Sequence, residues 1–234
     1  MPLPTVILPG FFASASSYRG LKRALNQAGV PATIVPLTAW DWVPTVGGRS
    51  VSSILERLAQ TVDNMLLTYQ VPQVTLLGHS AGGWISRIYL GDRPYDIHSS
   101  ASAKRAIWSG HQKVQTLLTL GTPHISQERW TRRNLDFVNS CYPGAFYADV
   151  RYLCLAGKAL YGQRTWQNWF AYNSYQLTVG TGRCWGDGIV PLAAAHLDGA
   201  ENHVLEQAWH SPSSPGPWYG SPQIVEQWIN FLRE

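Results

Sequence analysis

The sequence has few charged residues for its length. Asp, Glu, Lys and Arg make up 14% of its 234 residues, whereas hydrophobic residues make up 45%. A chain with this balance can bury a core, which argues against intrinsic disorder. The net charge is only +4, and its one basic cluster is Arg129, Arg132 and Arg133. We therefore expect no nucleic-acid partner, and the cluster leaves peripheral membrane contact open.

Long apolar runs are missing as well. No run approaches the roughly 18 residues that suggest a membrane-spanning helix. The first residues show no basic stretch followed by an apolar one, which predicts that this sequence carries no signal peptide. We expect a soluble, cytoplasmic protein, whose oligomeric state the sequence does not determine.

Cysteine is scarce. Cys141, Cys154 and Cys184 lack the spacing of a metal site. Their odd number does not fit a disulfide framework, although one bond stays open. Cys154 lies in an apolar run and is expected in the core.

The most informative stretch runs from Val74 to Ile85. An apolar run leads into Gly-x-Ser-x-Gly at Gly78, Ser80 and Gly82, and a helical pattern follows. This order of strand, sharp turn and helix is the nucleophile elbow, which exposes a reactive serine above a sheet edge. Because the two glycines lack Cβ atoms, strand and helix can pass close to the turn.

Strand and helix patterns alternate along the chain. Short apolar runs predict strands near residues 5–8, 32–35, 74–78, 115–120, 151–156 and 202–206, with amphipathic helices between several of them and after the last. We therefore predict one α/β domain over residues 1–234, with a mostly parallel twisted sheet and helices on both faces. The strand-to-helix loops then share one sheet edge, where such folds place their sites.

Three stretches do not fit the alternation. They cover residues 94–112, 125–149 and 158–185 and are rich in Trp, Tyr and Phe. Long loops in compact domains are usually functional. Since all three leave the same edge, we expect them to form an aromatic-rich cap over Ser80.

A catalytic serine needs a base and an acid that orients the base. In this architecture they follow in the order Ser, Asp or Glu, His. Asp187 lies between two glycines in a loop, whereas Asp149 and Asp198 precede strands and belong to the opposite edge. His210 follows the last predicted strand, so we assign the triad to Ser80, Asp187 and His210.

The remaining site residues surround this triad. The amide of Ala81 and that of Phe11 are the predicted oxyanion donors, with Phe12 as a rival for the second. Phe12, Trp84 and His124 are predicted to contact the substrate.

Five stretches together resemble the α/β-hydrolase superfamily, and more narrowly its lipase and esterase branch: Pro9-Gly10-Phe11, Gly78-His-Ser-Ala-Gly-Gly83, Gly121-Thr-Pro-His124, Gly186-Asp-Gly-Ile-Val-Pro191 and Trp209-His-Ser211. Three stretches, one of them part of the five, are similar to hydrolases of cyanobacteria and chloroplasts: Val150-Arg-Tyr152, Gly186-Asp-Gly188 and Trp218-Tyr-Gly-Ser221. The resemblance covers nearly the whole chain. One departure is Pro9, which stands where many lipases have histidine and puts the shape of the oxyanion loop in doubt.

Resemblance and triad order together predict a serine hydrolase of carboxylic esters, with a small-molecule or lipid ester as substrate. The expected chemistry requires no metal and no organic cofactor. An acyltransferase or a thioesterase would use the same acyl-enzyme, so both stay open. A non-catalytic binding protein is disfavoured because no triad member is missing.

Overall fold

A parallel sheet forms the centre of the protein. The computed structural model describes residues 2–97 and 106–233. In chain order the strands are β1 (Thr5–Leu8), β2 (Ala32–Ile34), β3 (Val74–His79), β4 (Val114–Leu120), β5 (Arg151–Lys158), β6 (Leu160–Tyr161), β7 (Trp185–Gly186) and β8 (Glu201–Glu206). The main sheet has the order β2-β1-β3-β4-β5-β8, and every neighbouring pair is parallel. The predicted parallel sheet is confirmed, and β6 and β7 form a separate antiparallel pair.

Helices cover both faces of the main sheet. They are α1 (Arg19–Gln27), α2 (Ser52–Tyr69), α3 (Ala81–Leu90), α4 (Arg129–Cys141), α5 (Trp169–Val179), α6 (Leu192–Ala195) and α7 (Pro222–Trp228). One hydrophobic cluster joins α2, α3 and α4 to the sheet, and another joins α1 and α7. In β1, Val6 and Leu8 belong to the first cluster and Ile7 to the second, as alternation along a doubly covered strand requires. Among the described residues, no helix combines the length and the apolar character needed to cross a membrane.

Two segments differ from the prediction. The stretch 125–149 contains α4, which connects β4 to β5 and buries Leu135 and Val138 in the same cluster as α3. It is therefore a regular helical connection, hidden in the sequence because few apolar residues mark its buried face. The segment between β2 and α2, to which the strand and helix patterns assign no element, is in part a 3-10 helix, Ala39–Thr45. Residues 98–105 of the predicted insertion 94–112 lie outside the described residues.

Helix α2 offers a matched test of the packing. Leu58 is completely buried, whereas Leu67 on the same helix is 77% exposed. Leu58→Ala should lower the free energy of unfolding by about 2–5 kcal/mol, because it leaves a cavity in the core. Leu67→Ala should change it by no more than about 0.5 kcal/mol. Urea unfolding followed by circular dichroism measures both, and equal losses would contradict the described packing of α2.

Candidate active site

Ser80 occupies a sharp turn between β3 and α3. Its backbone has φ 52° and ψ −124°, a conformation that residues with a side chain seldom adopt. The turn is tied to the end of β4, because the Ser80 N–H donates to the Leu120 carbonyl and the Thr122 hydroxyl donates to the Ser80 carbonyl, both at 2.9 Å. A Cβ at Gly82 would lie 2.4 Å from the carbonyl oxygen of Leu8. The glycine of the motif thus lets α3 start directly against β1.

His210 and Asp187 lie beside this serine. Nε2 of His210 is 3.0 Å from Oγ of Ser80, and Nδ1 is 2.7 Å from Oδ2 of Asp187. An ionised carboxylate can only accept hydrogen bonds, so Nδ1 carries the proton and Nε2 is left to accept from the Ser80 hydroxyl. The side chains of Asp187 and His210 are only 1% and 9% exposed. The structure therefore brings the three predicted residues into one hydrogen-bonded row, largely shielded from water.

Four donors surround the carboxylate of Asp187. The N–H groups of Ile189 and Val190 donate to Oδ1 at 3.0 and 2.7 Å. The Tyr219 hydroxyl joins His210 at Oδ2, at 2.8 Å. Burial and the neighbouring carboxylate raise the pKa of Tyr219 well above its usual value, so this hydroxyl remains a donor. A buried carboxylate needs this degree of hydrogen bonding to remain charged.

Gly121 makes room for the pair formed by Asp187 and Tyr219. A Cβ at this position would lie 2.6 Å from Oδ2 of Asp187 and 2.7 Å from the Tyr219 hydroxyl. The glycine also has φ +53°, which favours a residue without a side chain. Sequence reasoning found Asp187 but assigned no role to Tyr219, although Tyr219 lies in one of the stretches that carry the family resemblance.

His79 links three parts of the site. Its Nε2 is 2.7 Å from the carbonyl oxygen of His210, and its Nδ1 is 2.6 Å from the Tyr18 hydroxyl. Because a carbonyl only accepts, Nε2 donates to it and Tyr18 donates to Nδ1. The same hydroxyl accepts the N–H of Gly10 at 2.9 Å. One chain of hydrogen bonds therefore connects the loop after β1, the elbow and the loop after β8.

The protonation states in this chain are set by burial. Burial, and next to it the proximity of His210, lowers the pKa of His79 to about 3. Burial likewise raises the pKa of Tyr18 above its ordinary value. Both groups thus stay neutral around pH 7, and the hydrogen-bond directions given above persist.

Two backbone amides near Ser80 are free. Within residues 2–97 and 106–233, the N–H groups of Phe11 and Ala81 donate to no acceptor. The loop that carries Phe11 is a turn closed by a 3.0 Å bond from the Ala13 N–H to the Gly10 carbonyl, and Phe12 has φ 56° within it. The Phe12 amide is equally free in this part of the chain, so the choice between the two phenylalanines stays open.

Two cavities meet at Ser80 and share Phe11 as a wall. The more enclosed one has a volume of about 150 Å³. Its apolar side includes Trp42, Val51, Trp84, Pro123 and Val190, and its polar side includes Glu128, Thr131, Asn134, Ser174 and Thr178. The more open one has about 340 Å³ and is bordered by Phe12, His79 and His210. The N-terminal part of α4 and one side of α5 thus form a wall of the enclosed cavity. Burial in this wall raises the pKa of Glu128.

His124 lies away from both cavities. Its ring is buried, with Nε2 3.4 Å from Oγ1 of Thr119 and 3.5 Å from Sγ of Cys154. Burial, together with the nearby Arg87 guanidinium, lowers its pKa well below the usual value. The expected substrate contact of His124 is therefore corrected, since the neighbouring Pro123 lines the enclosed cavity instead.

In the described part of the chain, no group of three or more His, Cys, Asp or Glu is arranged to hold a metal ion.

Comparison with known proteins places this architecture. A family model described as a PGAP1-like alpha/beta domain matches residues 43–140, less than half of the chain. The mature lipase BlEst2 of Bacillus licheniformis superposes with a TM-score of 0.62 at 18% identity, over 99% of this chain and 92% of that one. The chain has the α/β-hydrolase fold.

Two further structures are similar. The propeptide form of BlEst2 gives a TM-score of 0.60 at 19% identity over 99% of this chain, which spans only 50% of that longer chain. The esterase EaEST from Exiguobacterium antarcticum gives 0.53 at 12% identity, over 99% of this chain and 92% of that one. No curated protein sequence matches the chain significantly. At these low identities, the similarity shows a shared fold only.

The neutral state of His79 predicts how stability depends on pH. Its pKa is about 3 when folded and about 6.5 when unfolded. The unfolded chain therefore binds more protons between these values, and the stability present above pH 6.5 is lost as the pH falls through this window. Urea unfolding at pH 7, 6 and 5 measures the slope. His79→Gln, which can still accept from Tyr18 and donate to the His210 carbonyl, should flatten it, and an unchanged slope would contradict a neutral His79.

Proposed function

We propose that this chain is a serine hydrolase that cleaves carboxylic esters through an acyl-enzyme. The observation that carries the proposal is the row formed by Ser80, His210 and Asp187, next to two backbone amides without acceptors. A hydroxyl bonded to a neutral imidazole, which is itself oriented by a carboxylate, is an activated nucleophile.

The geometry supports the following sequence of steps. Oγ of Ser80 attacks the ester carbonyl while Nε2 of His210 takes the hydroxyl proton. The amides of Ala81 and Phe11 donate to the oxyanion, and the departing alcohol receives the proton from His210. Water activated by the same histidine then releases the acid. Asp187 keeps the proton on Nδ1 and stabilises the imidazolium that forms transiently.

The two cavities suggest which part of the ester lies where. The enclosed cavity suits the acyl group, because its walls at Trp42, Val51 and Trp84 are apolar and its volume of about 150 Å³ limits chain length. The open cavity beside His210 suits the leaving alcohol, which must reach the protonating Nε2 and then solvent. We therefore favour esters with an apolar acyl chain of limited length, from lipid or small-molecule sources.

The similar structures support this proposal at the level of class. BlEst2 is a lipase and EaEST is an esterase, and each shares its fold with nearly the whole of this chain. The closer likeness to hydrolases of cyanobacteria and chloroplasts, and a cytoplasmic location, remain predictions from the sequence.

Hydrolysis of p-nitrophenyl esters of increasing acyl length tests the proposal. The wild type should show an optimum at short to medium chains. Ser80→Ala should lower kcat by up to roughly six orders of magnitude, and Asp187→Asn by about four. A fluorophosphonate should label the wild type on Ser80 only, as read by peptide mass spectrometry. A folded wild type that neither turns over any ester nor reacts with the phosphonate would refute a serine hydrolase.

The Tyr219 hydroxyl should contribute to kcat through Asp187. Tyr219→Phe removes a hydrogen bond to a buried charge, so we expect kcat to fall about 10- to 100-fold with KM nearly unchanged. Tyr89→Phe is the matched control, since Tyr89 is equally buried but its hydroxyl has no partner in the described structure. Steady-state kinetics of both variants measure kcat and KM and test this expectation. If the two substitutions act alike, the role of Tyr219 as a positioning residue is wrong.

A further inference from the structure

We propose that residues 158–186 form a docking surface for membranes that contain anionic lipid. This segment holds β6, α5 and β7. We call its exposed aromatic residues, Trp166, Trp169, Phe170 and Trp185, the aromatic rim. The proposal concerns a binding partner and does not depend on the proposed reaction.

The aromatic rim is unusually exposed. Trp166 is 97% exposed, Phe170 69%, Trp169 56% and Trp185 44%. Single exposed apolar residues are common, but four large aromatic side chains within twenty residues form a concentration that typically marks an interaction site. Tryptophan in particular is favoured at membrane interfaces, where its apolar ring and polar N–H are both accommodated.

Contacts within residues 158–186 connect two of the rim's aromatic rings to β6 and α5. The Trp185 ring packs edge-on against Tyr161 with centroids 5.5 Å apart, and Trp169 stacks on Tyr172 at 6.4 Å. The Asn168 side chain donates to the Tyr161 carbonyl at 3.4 Å, which connects the start of α5 to β6. Trp169 and Trp185 are therefore presented by one folded unit.

The charge of this segment has one sign. Residues 158–186 contain Lys158, Arg164 and Arg183 and no Asp or Glu. Lys158 pairs with Glu206 at 3.0 Å, but within the described residues no carboxylate pairs with Arg164 or Arg183. Arg164 instead lies over the Tyr172 ring, 5.1 Å from its centroid. Two exposed, unneutralised guanidinium groups among tryptophans complement an anionic lipid surface.

The same charges argue against a second copy as the occupant. A symmetric contact through the aromatic rim would bring four unneutralised arginines together without any acidic residue of the segment to offset them. A bilayer that carries anionic headgroups offers both the apolar phase for the rings and the countercharge for the arginines.

The rim also borders the candidate active site. Phe170 and Asn168 line a cavity of about 450 Å³ whose wall includes Asp187, Ile189 and Ser211. A membrane seated on the rim would therefore lie beside the triad, on the side of α5.

Sedimentation with lipid vesicles tests the proposal. The probe is large vesicles of phosphatidylcholine, alone or with 30% phosphatidylglycerol, and the protein is the Ser80→Ala variant, so that binding is measured without hydrolysis. We expect binding to the anionic vesicles, at least ten-fold weaker binding to neutral ones, and loss of binding as NaCl rises from 50 to 500 mM. Tryptophan fluorescence should shift to shorter wavelength in the bound state, and Trp166→Ala should reduce this shift.

Matched variants locate the surface. Trp166→Ala and the pair Arg164→Glu with Arg183→Glu should each weaken binding at least ten-fold. Tyr69→Ala and Arg23→Glu should not weaken binding. Tyr69 is the last residue of α2 and lies at the end of the sheet where β3 begins, far from the rim, and Arg23 is exposed on α1. Circular dichroism checks that all variants fold.

Three outcomes would overturn the proposal. They are no binding to anionic vesicles, equal effects of the rim and control variants, and a dimer in analytical ultracentrifugation that Trp166→Ala dissociates while vesicles are not bound. None of them would bear on ester hydrolysis, which the phosphonate and ester assays measure separately.

Discussion

The buried charge of Asp187 is the constraint on which the architecture of the site depends. A carboxylate that is almost completely removed from water is stable only when hydrogen bonds replace its hydration. Here two backbone amides, the Tyr219 hydroxyl and the His210 imidazole do so. These four donors belong to three different parts of the chain. The loop before α6, the turn before α7 and the end of β8 are thereby held around one charged group.

This constraint reaches into residues that carry no charge. Gly121 must lack a side chain so that Asp187 and Tyr219 can approach the end of β4. The backbone N–H of His210 donates to the Asp187 carbonyl at 3.0 Å, which adds a second bond between the same two residues. On the other side, Nε2 of His79 donates to the carbonyl of His210, and Tyr18 connects His79 to Gly10. The position of the imidazole is therefore determined from three directions, as pre-organised catalysis requires.

The sequence predicted those features that follow from local pattern. Apolar runs located the four inner strands of the sheet, because a strand covered on both faces leaves a continuous hydrophobic signature. The edge strands β2 and β8 are less buried and followed from shorter runs. Chain order pointed to Ser80, Asp187 and His210, and the structure brings these side chains together. Helix α4 escaped, because polar residues fill most of its turns and only Leu135 and Val138 are buried in the core. Tyr18 and Tyr219 escaped for a different reason. Each acts through partners far away in sequence, at His79 and Asp187, and no local spacing reveals such a contact.

The sequence also did not reveal which aromatic side chains are exposed, and exposure separates two roles of these residues. In the sequence, Trp42 and Trp166 lie in similar loop-like stretches, yet Trp42 is completely buried and Trp166 almost completely exposed. The buried ring borders the enclosed cavity, where it can only shape what enters. The exposed ring is the one for which we propose an external partner. The proposed docking would raise the local concentration of substrate, whereas the proposed chemical step belongs to Ser80, His210 and Asp187, so we expect variants of the rim and of these three residues to change binding and hydrolysis separately. The geometry agrees with such a division, because the rim lies in and around α5 and on β7, whereas Ser80 and His210 follow β3 and β8. Only the loop around Asp187, directly after β7, is shared between them.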